Sequence, residues 1–172
     1  MSKILIELVI PDQGGLDQLC WAAVGSGISA FYKDNPPLRP CEIAKKHLVK
    51  KQLFVPNCCD ASMAQDCNKP GDLAEVFTMI NHLDGVPIED SVAFDTVKQK
   101  TNAELPVCAR VDFDGQGGHF VAIGGYDDSN PENILVRIYD PQGGQTVTLP
   151  FDKFKTAYLS AGVWTRTFFT KK

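Results

Sequence analysis

The sequence predicts an α+β fold, and three observations carry that prediction. Apolar residues at helical spacing begin at Cys20 and recur in segments up to about residue 102, each bounded by Pro, Gly or Asn. From Pro106 onward the apolar runs become short, β-branched and aromatic, with turn formers between them. A chain of 172 residues that is 44% hydrophobic can bury one sizeable core. The expectation is therefore one domain of two lobes: a helical lobe over about residues 11–104, and a β-lobe over about 105–172 that the N-terminal strand joins.

The elements follow in order. MSKILIELVI has a short apolar run and no small-residue cleavage site, so it reads as a strand over Ile4–Ile10 rather than a signal peptide. The turn-like PDQGGLDQ leads into CWAAVGSGISAFY, whose apolar Trp21, Val24, Ile28 and Phe31 or Tyr32 predict a helix starting at Cys20. Asn35-Pro36-Pro37 breaks it. A helix near Cys41–Lys50, a cysteine-bearing loop Pro56–Pro70 and a helix Asp72–His82 stopped by Gly85 come next. A helix over Ser91–Asn102 precedes a strand Pro106–Phe113. Two strand-like runs, His119–Tyr126 and Asn133–Asp140, flank the turn formers Asp127-Asp128-Ser129-Asn130-Pro131 and predict a hairpin. Thr146–Leu149 and Val163–Thr170 close a small antiparallel sheet. His47, in a Lys-rich helix, and His82, near a helix end, read as surface residues.

Three residues stand in contexts that suit one chemistry. Cys20 opens the first helix, where unpaired backbone amides favour a thiolate and can bind an oxyanion. His119 follows two glycines at a strand start, and Asp140 ends a strand before Pro141. If Tyr126 stands opposite Asn133 in the hairpin, the same register sets His119 opposite Asp140. Facing residues have Cβ atoms about 4.5–5.5 Å apart, the range an imidazole–carboxylate bond needs. A nucleophile, a base and the group that orients the base are the parts of a cysteine triad. Taken singly, each has a structural reading: a core thiol, a strand-start histidine, a turn aspartate. It is their conjunction that points to catalysis.

DQLCWAAV, GGHFVAIGGYD and VRIYDPQGG resemble the Cys, His and Asp motifs of bacterial papain-like cysteine peptidases. The nearest groups in motif are type III effector peptidases and the peptidases that process bacteriocin leaders, and the resemblance spans about residues 10–145. It implies a papain-like fold, with a helical left lobe carrying the nucleophile, a β right lobe carrying base and acid, and a cleft between them. The activity it implies is hydrolysis of a peptide or isopeptide bond in a protein or peptide substrate, with no cofactor and no metal. Members carry a glutamine about six residues before the nucleophile to complete the oxyanion hole. Here that position is Gly14, with Gln13 and Gln18 nearby. A bulge in the Gly14-Gly15 turn would restore Gln13, so Gln13 is the expected fourth residue of the site. The chain order Cys, His, Asp separates this group from caspases and chymotrypsin-like viral peptidases, which place histidine first. Cell-wall amidases and transglutaminases share the order, so a transferase on the same triad, or a silent binding domain, stand as alternatives.

Cys41, Cys58, Cys59 and Cys67 do not match zinc-ligand spacing. The vicinal pair favours outward disulfides, one to Cys41 and one to Cys67, which implies an oxidising destination; the alternative is four reduced thiols. An exported or host-delivered protein is the corresponding expectation. A net charge of −4 gives no electrostatic case for nucleic acid, and no run of about 18 apolar residues predicts a membrane span. A monomer is expected.

Overall fold

Helices and strands occupy the parts of the chain where their periodicities change. The computed structural model describes residues 3–52, 57–115 and 117–172. Among these residues it holds five α-helices and a six-stranded antiparallel sheet, the α+β class that the sequence predicts. Pro56, the expected start of the cysteine-bearing loop, lies outside the described residues.

Helix α1 (Cys20–Phe31) is apolar all round and is buried from Cys20 to Ser29, so it is a central helix rather than a surface one. Its small residues are required by contact. A Cβ at Gly25 would lie 2.4 Å from Val76 Cγ1, and one at Gly27 would lie 2.4 Å from Ile10 Cδ1. Helices α2 (Pro40–Lys50) and α3 (Leu73–Met79) pack on it through Ile43, Leu48, Leu73 and Phe77. Asp72 caps α3 by accepting from the Ala74 amide at 2.8 Å.

The strands are β1 (Lys3–Leu5), β2 (Val107–Phe113), β3 (Gly117–Asp127), β4 (Leu135–Asp140), β5 (Gln145–Pro150) and β6 (Val163–Phe169). They run in the order β5-β4-β3-β2-β6, and β1 pairs with the far end of β3 beyond β2. Alternate residues face opposite layers. Cys108, Phe120, Ala122 and Phe168 join the core of α1, α2 and α3. Val107, Val111, Val121, Ile123 and Ile138 join a second core with Phe94 and Val97 of α4 (Phe94–Asn102) and Phe151 and Phe154 of α5 (Phe151–Ala157). A sheet covered on both faces explains why its strands read as nearly continuous apolar runs.

Several expectations are corrected. Among the described residues the strand is Lys3–Leu5; Ile6, whose N–H donates to the Gly124 carbonyl at 2.7 Å, Leu8 and Ile10 continue with alternate burial. The third helix ends at Met79, because Asn81 turns left-handed, and the fourth begins at Phe94. Helix α5 is not among the expected elements, although Phe151 and Phe154 stand three apart after Pro150. His47 and His82 are buried rather than exposed. His47 packs on Trp21 with ring centroids 4.7 Å apart, and its Nδ1 lies 3.2 Å from Glu75. His82 bonds Asp34 at 3.0 Å and the Lys171 carbonyl at 2.9 Å. Each fills a gap between elements with a carboxylate in reach.

The hairpin register also differs. Tyr126 stands opposite Val136, not Asn133, because Asn130-Pro131-Glu132-Asn133 is consumed by its own turn. There Asn133 N–H donates to the Asn130 carbonyl at 3.1 Å, and Glu132 N–H to the Asn130 side chain at 3.1 Å. A bulge between Ile123 and Gly125 shifts the pairing again, to Ala122 opposite Tyr139. Asp140 thus lies one step past the last pair, diagonal to His119 on the same face of the sheet rather than opposite it.

Candidate active site

The loop before α1 sets the position of Cys20. Gly14 and Gly15 both adopt left-handed φ, 66° and 74°, which turns the chain back so that Leu16 N–H donates to the Gln13 carbonyl at 3.2 Å. Leu19 is the N-cap, its carbonyl accepting from Ala22 and Ala23 at 3.0 Å each, so Cys20 is the first helical residue. No acidic side chain occupies the first turn. The Cys20 side chain thus stands beside the unpaired amides of a helix N-terminus. The same loop is tied to the acid's segment, because Gln13 N–H donates to the carbonyl of Pro141 at 3.0 Å.

His119 and Asp140 meet despite the shifted register. Residues diagonal across a strand pair remain within reach of longer side chains, and His119 Nε2 lies 2.7 Å from Asp140 Oδ1. Asp140 is wholly buried and held by two more donors: Gln142 N–H to Oδ1 at 2.8 Å and the Tyr158 hydroxyl to Oδ2 at 2.6 Å. With Nε2 facing the acid, Nδ1 is the ring nitrogen that remains, and Cys20 lies near enough to His119 to raise its pKa. The structure thus brings Cys20, His119 and Asp140 together. Sequence reasoning missed Tyr158, which follows the unexpected α5.

The electrostatics follow from this packing. Burial disfavours the imidazolium, but the hydrogen bonds and charges of Asp140 and Cys20 outweigh it, and the His119 pKa is pushed up to about 9. Burial likewise opposes the Asp140 carboxylate, yet the bonds from His119, Tyr158 and Gln142 hold its pKa below the usual range. Burial and the neighbouring carboxylate push the Tyr158 phenol up. The arrangement therefore favours a protonated imidazole next to an ionised acid.

Gln13 is partly buried, and among the described residues its Oε1 has no hydrogen-bond partner. Gln18 is exposed on the wall of a cleft of about 470 Å³ that is also lined by Cys20, Trp21, Gly71, Arg110 and Gly118. The other cysteines are arranged as disulfides Cys41–Cys59 and Cys58–Cys67, with Cys20 and Cys108 free. The vicinal pair is split outward, one bridge to Cys41 and one to Cys67. Cys108 is fully buried in β2, and burial pushes its thiol pKa up, so it is a poor nucleophile.

A helix-start thiol on one layer, set against an imidazole and a carboxylate on an antiparallel sheet, defines the class of papain-like cysteine peptidases. A profile described as the Peptidase_C39 like family matches residues 13–165, nearly the whole chain, and the protein belongs to that family. No curated protein matches the chain.

Proposed function

We propose that this protein hydrolyses a peptide bond in a protein or peptide substrate through Cys20, His119 and Asp140. The observation that supports this most is the His119 ring, which meets the buried Asp140 carboxylate through Nε2 at 2.7 Å and lies close enough to Cys20 for the thiol to act on its protonation. In the reaction, the Cys20 proton resides on His119 and the thiolate attacks the substrate carbonyl. The oxyanion is met by backbone amides at the start of α1 and by the side-chain amide of Gln13. The Gln13 Oε1 is buried and among the described residues has no hydrogen-bond partner, so no structural bond holds the side chain through that atom. His119 then protonates the leaving amine, and as the neutral base it activates water to release the acid and regenerate the thiol. Asp140 keeps the imidazole oriented and stabilises its charged form.

Cleavage of a peptide library, read by mass spectrometry beside a Cys20→Ala control, tests this directly. New N-termini with the native protein and none with Cys20→Ala support the hydrolase. Products that join an added amine in preference to water would mark a transferase on the same residues. A protein that processes nothing would be a binding domain. The two disulfides support an oxidising destination.

A further inference from the structure

We propose that Asn68 is a positioning residue for the nucleophile, a claim that rests on the assignment of Cys20 above. Asn68 follows Cys67, which is bridged to Cys58, while the adjacent Cys59 is bridged to Cys41 on α2. The segment is therefore anchored to the helical layer immediately before it reaches the site. Its side-chain amide is used in both directions: Oδ1 accepts from Gln18 N–H at 2.9 Å, and Nδ2 donates to Asp17 Oδ1 at 2.8 Å. These partners fix the orientation of the amide, because a backbone N–H can only donate and a carboxylate can only accept.

Asp17 and Gln18 immediately precede Leu19 and Cys20, so Asn68 holds the chain as it enters α1. The next residue holds the other side of the thiol. Lys69 carbonyl accepts from Trp21 Nε1 at 3.1 Å. Gly71 then lies against the Trp21 ring so closely that a Cβ there would be 2.4 Å from it. The disulfide-anchored segment thus brackets Cys20 through Asp17 and Gln18 on one side and Trp21 on the other, and Asn68 is the side chain whose geometry completes the bracket. Its loss would let Cys20 drift relative to His119, and because Asp17 and Gln18 also line the cleft, the substrate-free alkylation rate is the readout that isolates the thiol.

Asparagine has a specific role here, which permits a swap. Asn68→Asp keeps the acceptor for Gln18 but sets two carboxylates against each other. Adding Asp17→Asn returns a donor to face the carboxylate introduced by the first substitution. Two readouts are taken at pH 7: the rate of iodoacetamide alkylation at Cys20, and kcat separated from KM. Asn68→Asp should lower both the alkylation rate and kcat on the order of tenfold. The double variant should recover most of both. An unchanged Asn68→Asp overturns the proposal, and so does a loss that Asp17→Asn fails to restore in a protein of native melting temperature. If Asn68→Asp does not fold, Asn68→Ala removes both bonds without the repulsion. It should show the same loss, and wild-type rates in it would equally overturn the claim. Alkylation needs no substrate, so a protein that cleaves nothing would refute the hydrolase reading while this series still decides Asn68.

Discussion

The Tyr158 hydroxyl donates to Asp140 Oδ2 at 2.6 Å, from the residue that caps the C-terminus of α5. It couples the acid of the site to the second core, because the Tyr158 ring is buried against Phe154 with centroids 5.3 Å apart. Removing the hydroxyl leaves one oxygen of a buried carboxylate without its donor.

Tyr158→Phe should therefore destabilise the fold by about 1.5–3 kcal/mol, the range for hydrogen bonds to charged groups. The Asp140 carboxylate has its pKa lowered in the folded state, so its stabilisation is present above the unfolded value of about 3.9 and is lost as pH falls below it. The difference in stability between wild type and Tyr158→Phe should be full at pH 7 and shrink on acidification below about pH 4. Urea unfolding of both proteins over pH 3–7 measures it.

The His119 pKa of about 9 lies above its unfolded value of about 6.5. Its contribution to stability is then fully present below about pH 6.5 and is lost as pH rises through about 9. Turnover needs the imidazolium to protonate the leaving amine, so kcat/KM should fall on an alkaline limb centred near 9. A profile of kcat/KM over pH 5–10 checks this, and an alkaline limb near 6.5 would contradict the paired imidazolium.

Asp140→Asn should cost much less than Asp140→Ala. The Asn oxygen can still accept from His119 and Gln142, and its NH2 can donate to a Tyr158 hydroxyl that turns to accept. The charge is lost but the orientation is kept. A fall of roughly 10²–10⁴-fold in kcat/KM is expected for Asn, and a larger one for Ala, where the imidazole loses its orienting partner. Steady-state kinetics on one peptide substrate distinguishes them.

Disulfides at sequence separations of 18 and 9 should each stabilise the fold by about 2–4 kcal/mol through the closed loop. Under denaturing, non-reducing conditions two free thiols are expected, Cys20 and Cys108. A dithiol reductant should lower the melting temperature. Six free thiols would refute the pairing.

Legibility in the sequence followed period and chemistry. Helix α1 was readable because its apolar spacing begins abruptly after a Gly-Gly turn, and β2 to β6 because β-branched runs alternate with turn formers. The hairpin register was not readable, since Asn130-Pro131 could end the turn or extend it, and the Gly124 bulge has no signature beyond a glycine pair. His119 and Asp140 nevertheless meet, because a diagonal placement on one face serves a long side chain nearly as well as a facing one. Tyr158 was hidden because nothing local to it names a partner 18 residues away. The buried His47 and His82 were misread because charged neighbours in the chain say little about the elements packed against them.

The activation of Cys20 by His119 is tested most directly by the rate and site of iodoacetamide alkylation at pH 7. Cys20 should be labelled first, well before the buried Cys108, and His119→Ala should slow labelling of Cys20. Labelling of Cys108 first, or an undiminished rate at Cys20 in His119→Ala, would contradict it.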